Sequence, residues 1–263
     1  MFSINLVYYC FDRLTMYRFY FLTILNLALS LPFGGKFNSK QYPWEQGPYL
    51  QGDIKLTEEQ AKNGLLNERY RWVDATVPYV ISGDFTPEQL AIIEASFEEY
   101  HTKTCVKFVP RTDERDYIDI KSDQTGCWSY VGRIGFKQVV NLQTPECEFC
   151  GSCVRYTGTP IHELMHAIGF HHEQTRWDRD DYVTIFEENI DPDMFYNFDK
   201  YDEAYITAYG QPYDWGSVMH YSEYSFSING EPTILSKPEG TPLGNDEGLT
   251  DVDVAKINAM YNC

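Results

Sequence analysis

Two histidines and a glutamate near the middle of the chain have the types and spacing of a metal site. His162 and His166 lie four residues apart in HELMH, so on a helix their side chains project from the same face. Two imidazoles one turn apart can bind one zinc ion, and Glu163 beside the first can reach a water molecule that the metal activates. The pattern predicts metal-assisted hydrolysis, although so short a pattern also occurs by chance.

A glycine and a third histidine extend this pattern. Gly169 permits a sharp exit from the helix, because glycine enters positive φ at no steric cost, and the chain can then bring His172 back as a third ligand. Three imidazoles leave one coordination position open, which is typical of a catalytic zinc site and not of a structural one. The full pattern, HExxHxxGxxH, is the metzincin signature, which a Met-turn follows.

Met219, in the segment SVMHY, is the candidate for that Met-turn. It would form an apolar floor beneath the three imidazoles, and the alternative for a single methionine is ordinary filling of the core. We expect His171 and His220 to be structural and His101 to lie at the surface.

The elements that must position these residues predict an α+β fold. Short β-rich runs begin at Val77, Cys105, Asp116 and Gln138, each bounded by turn-forming residues. A helix is predicted after Thr86, with that residue as its N-cap. Two more helices are predicted, one capped by Thr159 that carries the histidines and one near the C-terminus, whose candidate core residues are Val252, Val254, Ile257 and Tyr261.

The N-terminal region predicts a secretory signal followed by a pro-segment. An apolar run of signal-peptide length, FYFLTILNLAL, follows Arg18 and ends at small residues near Ser30, as at a cleavage site. We expect a signal peptide over residues 1–30, with Met16 as an alternative start; the alternative function of this run is an uncleaved anchor. Residues 31–62 are polar and turn-rich with little to bury, which indicates a linker or short pro-segment.

Charge restricts the class of partner. The 263 residues include 21 Lys+Arg and 39 Asp+Glu, a formal net charge of −18. Nucleic acid and anionic membranes are bound by basic patches, so we expect neither nucleic-acid binding nor stable membrane association. Cationic or neutral partners are compatible with this charge.

Six cysteines follow the pro-segment, and an even number favours disulfides in an exported chain. Their number alone leaves the pairing open. A zinc knuckle formed by Cys147, Cys150 and Cys153 is an alternative, but no fourth ligand lies at finger spacing.

Several segments together resemble the astacin family of secreted zinc endopeptidases. They are RWVDATVPYVI, CVKFVPRT, GCWSYVGR, HELMHAIGFHHEQTRWDRDDYV, YDWGSVMHY and INAMYNC, in order along nearly all of residues 63–263. The resemblance implies a metzincin-like catalytic domain over that range, with an N-terminal mixed sheet plus helices to about residue 172. A loop-rich subdomain would follow from about residue 173, with the active-site cleft between the two.

The resemblance also implies the chemistry of the site. One Zn²⁺ per chain would be held by the three histidines, Glu163 would act as general base and then general acid, and substrates would be proteins or peptides. Tyr221, two residues after Met219, would bind zinc in the resting enzyme and hydrogen-bond the oxyanion during catalysis. The enzyme is expected to be a monomer.

Activation of a zymogen is implied in the same way. Asp53 in LQGD would occupy the zinc in the latent form, although Leu50 replaces the family's usual phenylalanine. A trypsin-like protease would cut after Lys62, and the new ammonium of Asn63 would pair with Glu173.

The family's disulfides would be Cys105–Cys263 and Cys127–Cys153, which leaves Cys147 and Cys150 to pair with each other. Asp246 stands where many relatives have an arginine near the pocket for the residue after the cleaved bond, so we expect only a weak preference for acidic residues there. One alternative is a binding protein that keeps the fold but has lost its chemistry. A zinc deaminase would need HxE with PCxxC, which is absent from the sequence.

Overall fold

The computed structural model describes residues 40–58, 60, 68–146 and 151–263. The expected signal peptide, Asn63, Cys147 and Cys150 lie outside the described residues. Among the residues described, no helix is both long and apolar enough to cross a membrane.

A six-stranded mixed sheet forms the N-terminal half. Its strands are β1 (Ile54–Lys55), β2 (Thr76–Ile81), β3 (Lys107–Pro110), β4 (Tyr117–Lys121), β5 (Cys127–Tyr130) and β6 (Lys137–Leu142). They lie in the order β1-β5-β6-β4-β2-β3, and all neighbours are parallel except β5 and β6. The edge strand β1 belongs to the predicted pro-segment, so the segment N-terminal to the body completes the sheet.

Three α-helices are present in the described residues: α1 (Pro87–Lys103), α2 (Gly158–Ile168) and α3 (Asp251–Tyr261). α1 begins as predicted, with a reciprocal capping box between Thr86 and Gln89. It buries Ile93, Phe97 and Tyr100 in a core shared with the sheet and α2. The predicted α+β fold is confirmed.

The start of α2 differs from the prediction. The helix begins at Gly158, so Thr159 lies inside the first turn and its side chain is not the N-cap. A Cβ on Gly158 would collide with the carbonyl group of Asp246. The helix thus starts two residues earlier than predicted, and glycine at its first position lets the backbone of Asp246 pack closely against it.

The buried side of α3 also differs from the prediction. Of the four candidate core residues Ile257 is buried, Val254 and Tyr261 are partly buried against the core, and the buried side also includes Asp253 and Lys256. A prediction from apolar periodicity cannot find this side of the helix, because its charged residues are buried through hydrogen bonds and ion pairs with residues distant in sequence.

Beyond α2 the chain is largely irregular, as predicted. A two-stranded antiparallel sheet pairs β7 (Val183–Ile185) with β8 (Ile234–Ser236). The disulfide Cys105–Cys263 ties the C-terminus to the chain after α1, and Cys127–Cys153 ties β5 to the segment before α2. These are the two pairs that the family resemblance implies.

The described part of the pro-segment is packed against the body. Trp44, Glu45, Asp53 and Ile54 are all buried. The expectation that this segment has little to bury is wrong, because its few apolar and acidic side chains cover the histidines.

Candidate metal centre

Helix α2 and the turn after it position the three histidines. His162 and His166 lie on one face of α2, which ends at Gly169 in a left-handed conformation with φ of 119°. The predicted sharp exit is thus present, and it brings His172 back toward the helix. All three imidazoles are buried.

Four donor atoms from these histidines and the pro-segment converge. The Nε2 atoms of His162, His166 and His172 and a carboxylate oxygen of Asp53 lie within 4.8 Å of one another. Asp53 Oδ2 is 2.8 Å from His162 Nε2, 3.5 Å from His166 Nε2 and 3.3 Å from His172 Nε2. The structure therefore brings together the three predicted imidazoles and the aspartate expected in the latent form.

The outer nitrogens of the three rings show which atoms face this centre. His162 Nδ1 lies 2.7 Å from the Val218 carbonyl oxygen, and His166 Nδ1 lies 2.7 Å from that of Phe170. A carbonyl only accepts, so each Nδ1 carries the proton and each Nε2 presents a lone pair. Burial lowers the pKa of His162 to about 4, although the negative charge of Asp53 opposes this, which keeps the ring neutral.

His172 has a different outer partner. Its Nδ1 lies 2.9 Å from the side-chain oxygen Oε1 of Gln51, so its Nε2 also presents a lone pair. That atom is 3.3 Å from His162 Nε2, and His166 Nε2 has no hydrogen-bond partner. Several lone pairs and a carboxylate at such distances repel one another unless a cation lies between them. Imidazole and carboxylate donors in this number fit Zn²⁺.

Glu163 lies next to this donor set without a partner. Both carboxylate oxygens are buried and accept no hydrogen bond. Burial, and then the charge of Asp53, raise the pKa of Glu163 well above its usual range. Burial of a carboxyl with no hydrogen-bond partner costs free energy on folding, and such groups are typical of functional sites.

Tyr221 is packed beside the centre but is engaged by the pro-segment. Its ring lies 4.9 Å from that of His172, and its hydroxyl donates a 2.8 Å hydrogen bond to the Gln51 carbonyl. The hydroxyl is therefore occupied in this arrangement, and its role as a resting-state ligand stays a prediction.

Met219 and the turn around it are held by α3. Met219 is buried in the main core, and its carbonyl accepts from Glu173 N at 2.9 Å. Asp253 accepts from Ser217 Oγ at 2.6 Å and from Val218 N at 3.1 Å. Since the Val218 carbonyl orients His162, the charged side of α3 acts on the metal centre through this turn.

Glu173 already has cationic partners. Its carboxylate lies 2.5 Å from Lys256 Nζ and 3.1 Å from Arg176 Nη1, and it accepts from Asp214 N at 3.0 Å. Burial opposes ionisation, but the charges of Lys256 and Arg176 lower the pKa of Glu173 below its usual value. A cavity of about 40 Å³ adjoins Glu173 and Lys256, and Asn63 lies outside the described residues.

The other histidines are not part of the donor set. His220 lies 2.7 Å from the Tyr213 hydroxyl, and His101 Nε2 accepts from Phe108 N at 2.9 Å. His101 is half-buried and not fully at the surface. Both nitrogens of buried His171 lack a partner, and its ring packs on that of Tyr201 at 4.8 Å.

Sequence reasoning missed the pro-segment residues that cover the centre. The Trp44 ring stacks on His162 at 4.3 Å, Glu45 accepts from both the backbone N–H and the hydroxyl of Ser222, and Gln51 orients His172. A tryptophan in an otherwise polar segment was the available signal for a packed pro-segment.

Comparisons with known proteins agree with this geometry. The family model described as Astacin, a family of peptidases, matches residues 65–262. Zinc metalloproteinase nas-7 of Caenorhabditis elegans is 42% identical over 226 residues, which are 85% of this chain and 56% of that protein. Zinc metalloproteinase nas-14 of the same organism is 45% identical over 194 residues, 73% of this chain and 37% of the relative. The chain thus spans about half the length, or less, of these two relatives.

A solved structure is also similar. It is that of high choriolytic enzyme 1, a hatching enzyme zinc-protease from Oryzias latipes (medaka fish), which is 37% identical. The match has a TM-score of 0.65 and covers 80% of this chain and 99% of that chain.

Proposed function

The chain belongs to the astacin family of peptidases, and from that premise we propose that it is a secreted zinc-dependent endopeptidase that hydrolyses internal peptide bonds of proteins. The observation that carries the proposal is the convergence of three imidazole Nε2 atoms next to the unpartnered carboxyl of Glu163. A buried carboxyl without a partner carries a desolvation cost, and proton transfer at a metal centre accounts for its presence.

The histidines would hold the ion, and neighbouring residues act on the substrate. When bound, zinc supplies Lewis-acid activation of water and of the scissile carbonyl. The carbonyls of Val218 and Phe170 keep the His162 and His166 rings in the ligating tautomer. Glu163 takes a proton from the attacking water on its carboxylate and delivers it to the leaving amine.

Tyr221 would complete the site after the pro-segment leaves. Release of the Gln51 carbonyl would free the phenol, which would then be available as a further zinc ligand in the resting enzyme. During catalysis the same hydroxyl donates a hydrogen bond to the developing oxyanion, where electrostatic stabilisation is strongest.

Substrate would bind along β5. That strand is paired on one side with β6 and on the other with β1 of the pro-segment, so loss of β1 leaves its main-chain groups free. An extended peptide can add to such an edge. Asp246 stands where many relatives have an arginine near the pocket for the residue after the cleaved bond, so only a weak preference for acidic residues is expected there.

The protein would be made as a zymogen with Asp53 at the metal. A trypsin-like protease cuts before Asn63, and the new ammonium joins Glu173. The cavity beside Glu173 supports this, because about 40 Å³ is room for a few water-sized groups. We expect a monomer, a signal peptide over residues 1–30 and a third disulfide between Cys147 and Cys150.

The test compares the cleaved protein with the variant Glu163→Gln. The folded full chain is cleaved before Asn63, and casein digestion and zinc content are measured. We expect chelator-sensitive digestion by the wild type, and one zinc but almost no digestion in the variant. Substantial proteolysis by a variant that retains zinc would overturn the role of Glu163.

A further inference from the structure

A lysine of the pro-segment lies on the face of an indole that belongs to the body. Lys55 Nζ is 3.3 Å from the centroid of the Trp128 ring and 4.4 Å from that of Tyr49. The two rings are 5.3 Å apart, so they enclose the ammonium from two sides. Lys55 is half-buried, so its ammonium is partly shielded from water, the condition under which cation–π attraction is strongest.

The Trp128 ring is held by the body and not by the pro-segment. Its Nε1 donates to Thr125 Oγ1 at 3.0 Å, and its edge contacts the Tyr130 ring at 6.1 Å. The preceding residue, Cys127, is disulfide-bonded to Cys153. The indole face therefore stays in position when Lys55 and Tyr49 leave.

The place of this indole along the cleft follows from the strand register. Lys55 pairs with Tyr130 in the β1–β5 ladder, and it lies two residues after Asp53, which reaches the histidines. Two residues of extended chain span about 7 Å. A peptide on the same edge would thus bring a side chain onto Trp128 within about two residues of the metal centre.

We propose that the face of Trp128 is a subsite for a lysine or arginine side chain of the substrate, near the bond that is cut. This proposal rests on the proposed function, because a substrate subsite exists only in an enzyme. Its structural basis is Lys55, whose ammonium lies on this ring face in the structure. An indole face attracts a cation through its negative quadrupole and offers nothing to a carboxylate. The net charge of −18 also favours basic substrates over acidic ones.

Binding is tested without turnover. The folded full chain of Glu163→Gln is cleaved before Asn63, the pro-segment is removed, and a synthetic peptide of residues 40–58 is titrated by calorimetry. A second peptide carries Lys55→Met, which keeps the length of the side chain and removes its charge. We expect the lysine peptide to bind about fivefold to twentyfold more tightly at low salt.

Variants of the ring locate the effect. When Trp128→Leu is added to the protein, the difference in affinity between the two peptides should vanish. With Trp128→Phe the difference should become smaller. Phe136→Leu, which removes an exposed aromatic ring outside β5, is the control and should leave the difference in affinity intact. The proposal is overturned if the two peptides bind equally tightly to the protein that retains Trp128, or if neither peptide binds. This comparison changes only the peptide.

A second measurement separates this proposal from the proposed function. The cleaved wild type is given a peptide library, and lysine or arginine should be enriched at one position within two residues of the cut, with the enrichment lost in Trp128→Leu. Proteolysis without that enrichment would overturn the proposed subsite but not the proposed protease function. If the two peptides differ in affinity but the protein cleaves no peptide bond, the proposed protease function is overturned and the cation-binding subsite remains.

Discussion

At the scale of single residues, the metal ligands depend on their outer hydrogen bonds. His162 and His166 are oriented by backbone carbonyls of the body, whereas His172 is oriented by the side chain of Gln51 in the pro-segment. Such outer partners fix the tautomer and strengthen the ligand. In the proposed latent form, the pro-segment would thus both block the metal centre with Asp53 and support it with Gln51.

Gln51→Leu should separate these two contributions. The variant removes the acceptor for His172 Nδ1 but leaves Asp53 in place, so zinc affinity of the uncleaved chain should fall about tenfold or more. The measurement is a competition with a chelator, before and after cleavage. After removal of the pro-segment, variant and wild type are the same protein and should match. Equal affinity before cleavage would contradict the role of Gln51.

Glu45 makes docking of the pro-segment sensitive to pH. Burial raises the pKa of Glu45 to about 7, although hydrogen bonds from Ser222 and Tyr42 oppose this. Because that value is above the usual 4.5 of a free glutamate, docking is strongest below about pH 4.5 and weakens as the pH rises through 7. The facing phenols, Tyr42 and Tyr221, have raised pKa values and stay neutral in this range.

Release of the cut pro-segment should therefore accelerate between pH 5 and pH 8, as followed by the fluorescence of Trp44. The control variant Glu45→Gln keeps an acceptor for the Ser222 N–H and has no charge to gain. Its release rate should lose the component that titrates near pH 7. Identical pH profiles for variant and wild type would exclude Glu45 as the titrating group.

At the scale of elements, α3 stabilises the metal centre from a distance. Lys256, with 3% of its surface exposed, pairs with Glu173, and Asp253 holds the turn that presents Val218 to His162. Removing Lys256 would leave the buried Glu173 carboxylate with Arg176 but without its nearer cation, which costs more than loss of an exposed pair.

Lys256→Met should lower the free energy of unfolding by more than about 1 kcal/mol and up to about 3 to 5 kcal/mol, the loss for a wholly unpaired buried charge, as measured by denaturant titration. The matched control is Lys103→Met, which removes an exposed lysine 2.9 Å from Glu99 and should cost less than about 1 kcal/mol. Similar losses in the two variants would show that the Lys256 pair contributes no more than a surface pair.

The sequence predicted those parts of the site that are local. The spacing of His162 and His166 and the glycine exit at Gly169 follow from helix geometry alone. The outer partners could not be found in this way, because Val218 lies 56 residues from His162 and Gln51 lies 121 residues from His172. Strand β5 was also missed, since CWSY has no clear apolar alternation and depends on pairing with β6 and β1.

At the scale of the whole molecule, the pro-segment completes both the sheet and the metal centre. It contributes β1 at the sheet edge, Trp44 against His162 and Asp53 among the imidazoles. Removal of one short segment would therefore expose the strand edge, the indole of Trp128 and the zinc ligands together. Activation is in this account a single event that opens the whole cleft.

The central claim is that three histidines of this chain hold one zinc ion. The most direct test is a crystal structure of the zinc-loaded, uncleaved chain with anomalous data collected on both sides of the zinc absorption edge. We predict one peak about 2.0 to 2.1 Å from each of the Nε2 atoms of His162, His166 and His172. A peak at the cysteines of residues 147–153 instead, or none between the three rings, would contradict the account.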